Sequence, residues 1–209
     1  MSIDKLLVFV DFISILPIII YISRIKIISP DYVNLFYILL AGLFSGIFHL
    51  FDLSAFYLGI IRLVYIFIEM QFFLIIFIKW IDKTHRIKLK YLQFLFFSFW
   101  LIDVYIKFYI NNSSVDIMYL AQLLILAFIG LKFITNKSKI TVDQVLTILP
   151  LIIYSIYFII VNLLMHWLYS KETKELFINL YSIINLINFL SYISYSLAFL
   201  WAPKKEKYL

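Results

Sequence analysis

The chain has no cysteine, four glycines, four prolines, and charged residues at only 14% of 209. Lack of cysteine excludes disulfides, thiolate metal sites and cysteine nucleophiles. Scarcity of glycine and proline means that breaks between elements must be read from polar clusters. The low charge is the most informative shortage, because a soluble domain carries about a quarter charged residues. No polar stretch is long enough for a separate soluble domain. What is abundant is apolar: 65% of residues are hydrophobic and 20% aromatic. A single membrane-embedded domain over residues 1–209 is the expectation.

The net charge of +6 is not a nucleic-acid footprint, since the lysines and arginines cluster between apolar runs, where membrane topology requires them. The N-terminal run is not expected to be a cleaved leader. Asp11 interrupts it, no small-x-small site follows, and Arg24 and Lys26 come after it.

A bilayer core about 30 Å thick takes about 20 helical residues. Seven segments meet that length, at 6–23, 33–53, 56–79, 91–110, 116–134, 143–169 and 175–202. The expected fold is therefore an all-α bundle of seven transmembrane helices. Its weakest break is DLSAF at 52–56, accepted because one helix over 33–79 would be about 70 Å long. No internal repeat is visible. Pro17 and Pro150 fall in the first and sixth segments, which are not equivalent in a three-plus-one-plus-three duplication.

Basic residues orient the bundle. One set of loops and the C-terminal tail hold thirteen lysines and arginines, the opposite side holds four, and Arg62 lies within a segment. The richer side faces the cytoplasm, which puts the N-terminus outside. A bacterial inner (plasma) membrane is the expected location.

The organising stretch is the helical hairpin of residues 33–80. It carries His49, Asp52, Arg62 and Glu69 at depths where lipid normally excludes charge. Polar residues at helical spacing form seams on most segments. The first has Asp11, Ser14 and Tyr21. The second has Gly42, Ser45, His49 and Asp52, and the third Arg62, Tyr65 and Glu69. The fourth has Trp100, Asp103 and Lys107, and the sixth Ser155, Asn162, His166 and Tyr169. The seventh has Tyr181, Asn185, Asn188, Tyr192 and Tyr195. The fifth has only Tyr119 and Gln122, which suggests a peripheral helix. Such seams ordinarily glue helices together, and Gly42 with Gly46 ordinarily marks close packing. Their depth adds a second reading. Asp11, His49, Arg62, Asp103, Asn162 and His166 all fall within about 11 Å of the outer helix ends. Glue has no reason to be one-sided, whereas a polar pocket open to the outside has.

Several chemistries lack their residues. Residues 176–202 hold no lysine for a retinal Schiff base and no H-x-x-x-H pair for zinc. There is no G-x-S-x serine motif and no phosphate loop. His49 and His166, with Asp52 or Asp11, have the right ligand types for zinc, but two histidines on separate helices do not specify a metal site. No metal or cofactor is expected. Glu69 and Asp103 are the carboxylates available for acid–base work.

The expected function is a ligand-binding sensor or accessory subunit. Its candidate site is Arg62, Glu69, His49, Asp52, Asp103, Asn162, His166 and Asp11. The alternatives are a small enzyme acting on a lipid or isoprenoid headgroup and a small-solute carrier. The expected partners are the lipid bilayer, an anionic or lipid-like small ligand, and a membrane protein, with no nucleic acid.

Overall fold

The structure is a computed structural model. It describes residues 3–48, 51, 54–80, 83–106, 108, 117–136, 140–167 and 174–204. Among them are seven α-helices: α1 (Ile3–Arg24), α2 (Val33–Phe48), α3 (Ala55–Trp80), α4 (Lys83–Tyr105), α5 (Ile117–Asn136), α6 (Val142–Trp167) and α7 (Lys174–Trp201), with a 3-10 turn at Pro30–Tyr32 ahead of α2. Five of them, α2 taken with the turn ahead of it (Pro30–Phe48), α3, α5, α6 and α7, are long and apolar enough to cross a membrane.

A break does divide the hairpin, but α2 ends at Phe48, five residues before the expected end at 53, and α3 begins at Ala55. Phe51 N–H donates to Phe48 O at 3.3 Å, and Leu58 N–H to Ser54 O at 3.2 Å as α3 begins. The fourth helix differs most from expectation. It starts at Lys83, so KTHRIKLK is its first two turns and not a loop, and His85 is helical. Lysine, arginine and leucine are good helix formers, and the stretch has no glycine or proline to stop it. This basic start also keeps α4 out of the set of wholly apolar helices.

The chain forms two compact units. One comprises residues 1–20 and 123–201, the other residues 21–122 and 202–209. In the second, α2 packs on α3 and α3 on α4. Their buried faces follow helical spacing, with Leu35, Ile38 and Leu39 on α2 and Leu63, Ile66, Met70, Phe73, Leu74 and Phe77 on α3. In the first unit α6 packs on α7.

Two backbone details hold the first unit together. Pro150 lies inside α6 and has no N–H to give the carbonyl four residues earlier. That carbonyl is Leu146 O, and Ser194 Oγ of α7 donates to it at 2.7 Å. The hydroxyl thus satisfies an acceptor that proline would leave open in an apolar medium. The second detail is Gly130 of α5. A Cβ there would lie 3.0 Å from Ile148 Cγ2 and 3.1 Å from Ile152 Cγ1, so glycine lets α5 approach α6 without pressing on either side chain. The expected tight pair at Gly42 is looser, with a Cβ meeting the Tyr65 ring at an ordinary 3.5 Å.

The outer faces are strongly apolar. Tyr91 and Phe94 on α4 are 74% and 72% exposed, and Phe128 on α5 is 66% exposed. Aromatic side chains in that number belong against an apolar surround, not water.

Candidate functional site

Glu69 is the centre of the second unit. It lies twelve residues after Tyr57 and eleven before Trp80 in the apolar span of α3, about 17 Å from either end. Its side chain is buried. Tyr65, one turn earlier on the same helix, donates its hydroxyl to Glu69 Oε1 at 3.2 Å. Tyr119 of α5 donates to Oε2, also at 3.2 Å. Both carboxylate oxygens therefore have a phenolic donor, and one of the donors comes from another helix. A buried carboxyl group needs such partners.

Further polar links surround this clamp. Trp100 Nε1 of α4 donates to Leu63 O of α3 at 2.9 Å, and the Trp100 ring packs on Phe67 with centroids 4.9 Å apart. Gln71 Nε2 of α3 donates to Gln93 O of α4 at 3.2 Å. Gln122 Nε2 of α5 donates to Phe96 O of α4 at 3.3 Å. The two polar residues of α5, expected on a peripheral helix, are thus both buried and bonded to α3 and α4.

Beside this clamp an open groove of about 510 Å³ lies between α2 and α3. Its walls include Tyr37, Phe44 and Ser45 from α2 and Val64, Tyr65 and Phe72 from α3. The groove is largely apolar, and neither Arg62 nor Glu69 is among its lining residues. Tyr65 belongs to both features: its ring is part of the groove wall, and its hydroxyl is bonded to Glu69. Gly42 lies opposite that ring.

The expected site residues are distributed as follows. Arg62 is exposed on α3, two turns before Glu69, and Asp103 is buried on α4. Asn162 on α6 donates Nδ2 to Phe158 O of its own helix at 2.8 Å. Asp11 lies on α1 and His166 on α6, with side chains outside those described. His49 and Asp52 lie outside the described residues. Arg62, Glu69 and Asp103 belong to the second unit, while Asp11, Asn162 and His166 belong to the first.

Sequence reasoning placed Tyr65 on the Arg62–Glu69 seam but left Tyr119 and the groove residues out of the site. Spacing along α3 carried the first. Nothing local could carry the second, because Tyr119 reaches Glu69 across 50 residues of chain.

The chain matches no protein-family model, no curated protein and no solved structure. The class the fold defines is an all-helical protein with, among the described residues, five helices long and apolar enough to cross a membrane.

Proposed function

We propose that this chain is an integral membrane sensor of seven transmembrane helices, N-terminus outside, which binds a lipid-like ligand in the α2–α3 groove. The observation that carries the reading is the double role of Tyr65. A ligand chain lying against the Tyr65 ring touches the residue that donates to Glu69, and Glu69 in turn holds Tyr119 of α5. Occupancy of the groove is thereby felt at the α3–α5 contact. The largely apolar lining favours an acyl or isoprenoid chain over a polar solute. Arg62, exposed on α3 one turn before Tyr65, supplies a cation for an anionic head, held bidentately by its guanidinium. Its position five residues into the span, about 8 Å along the helix, suits a headgroup near the interface.

The test is photolabelling in vesicles with a diazirine-bearing fatty acid. Labelling should concentrate on α2 and α3. Ser45→Trp, which fills the groove, should abolish it. Arg62→Gln should weaken labelling by the fatty acid but not by its neutral methyl ester. Uniform labelling of every lipid-facing helix, unchanged by Ser45→Trp, would refute the site.

A further inference from the structure

Three stretches far apart in sequence meet at one end of the second unit. Ile28, in the link after α1, forms an antiparallel bridge with Lys204, and Ser29 N–H donates to Pro203 O at 3.0 Å. Three residues on, the Tyr32 ring lies against Trp80 with centroids 5.6 Å apart, which brings the last turn of α3 to the same place. The basic start of α4, at Lys83, follows three positions after Trp80. Lys26, Lys88, Lys90 and Lys204 are exposed there, and Arg24 and Lys79 half-exposed. Over residues 24–31, 79–90 and 203–207 the sequence carries ten basic residues against three acidic ones, Asp31, Asp82 and Glu206.

We infer that this basic collar, closed by the Ile28–Lys204 bridge, is a binding surface for the phosphate of anionic phospholipid headgroups. Loop charge alone would orient the chain without bringing these segments together. Here backbone bonds fasten the C-terminal segment to the α1–α2 link, so that Lys204 is added to a patch with Lys26. Trp80 marks the depth, because indole rings settle at the headgroup level. The acidic residues of the three stretches are too few to neutralise it. Each lysine near a surface of anionic lipid strengthens binding by about fivefold, and the contribution is screened over about 10 Å at 0.1 M salt.

The experiment measures binding of fluorescent phosphatidylglycerol to the full chain in neutral detergent, with phosphatidylcholine and inorganic phosphate as competitors. Phosphatidylglycerol should bind, more weakly at high salt, and neither competitor should displace it at equal concentration. Lys26→Gln with Lys204→Gln should weaken binding by about 25-fold. A charge-matched control on the opposite side of the proposed threading, Lys5→Gln with Lys174→Gln, should change it less than about twofold. Equal losses in the two double variants would reduce the effect to net charge and overturn the proposal. Displacement by phosphatidylcholine would remove the charge preference, and displacement by inorganic phosphate would make the ligand a free anion. Circular dichroism and elution volume monitor folding. Should the collar double variant misfold, Lys26→Gln and Lys204→Gln singly, each expected at about fivefold, answer the same question.

Discussion

Ser194 of α7 donates its hydroxyl to the carbonyl of Leu146 on α6 at 2.7 Å, and that carbonyl is open because Pro150 stands four residues later. Proline and serine, 44 positions apart in the chain, form one device for the α6–α7 contact. Replacing Ser194 by Ala should cost about 1–2 kcal/mol, since a buried acceptor then loses its donor. In a Pro150→Ala background the restored N–H supplies that donor, and the cost of Ser194→Ala should fall close to zero. Chemical unfolding in mixed micelles measures this double-mutant cycle. Purely additive effects would mean that the two residues act independently. Ser155 is the control. It is fully buried and its hydroxyl has no partner among the described residues, so Ser155→Ala should be neutral or slightly stabilising.

The Glu69 clamp predicts a non-additive pair. Tyr65→Phe and Tyr119→Phe each remove one hydroxyl from the carboxylate and should each cost about 1 kcal/mol. Removing both leaves a buried carboxylate without its phenolic donors, so the double variant should lose clearly more than the sum. Glu69→Gln in the double-Phe background should recover much of that loss, because a neutral amide is easier to bury. Unfolding free energies that simply add would rule the clamp out as a unit.

Two helical glycines should respond in opposite directions to alanine. At Gly59 a Cβ would meet nothing within 4 Å, so Gly59→Ala should stabilise α3 by up to about 1 kcal/mol through helix propensity. At Gly130 the new methyl would press on Ile148 and Ile152. Both are β-branched and stiff in a helix, so they cannot easily yield. Gly130→Ala should destabilise by about 1–3 kcal/mol. Thermal midpoints of the two variants in one detergent settle the sign of each.

The proposed threading makes a separate prediction. Reporter fusions in the segment 79–90 and after Lys204 should both read cytoplasmic, following the thirteen-to-four distribution of basic residues. An external reading at either place would reverse or break the topology. Because α4 already begins at Lys83, insertions between Trp80 and Lys83 should be tolerated better than insertions at Lys88.

Helix number was legible because each apolar run satisfies its own backbone and needs no partner to be a helix in lipid. The expected segments and the seven helices coincide closely in α3, α5 and α7. They part at α4, which begins at Lys83 and not at the expected 91 because nothing in the basic stretch stops a helix. The Arg62–Tyr65–Glu69 seam was also legible, being a property of one helix. The groove was not. Phe44, Val64 and Phe72 are unremarkable in a chain this rich in apolar and aromatic residues, and only the separation of α2 from α3 makes them walls.

The sequence by itself determined the helices, the faces that carry polarity and the ends that carry positive charge. These are local quantities, set by 3.6-residue spacing and by the cost of charge in lipid. The tertiary structure alone decided which faces meet. It gave Glu69 to Tyr119, 50 residues away, gave Leu146 O to Ser194, and fastened Ile28 to Lys204. A polar seam states that a helix needs a neighbour there, but many neighbours offer a hydroxyl or a carbonyl. The choice among them is made by the packing of whole helices, for which no single stretch of sequence holds the information.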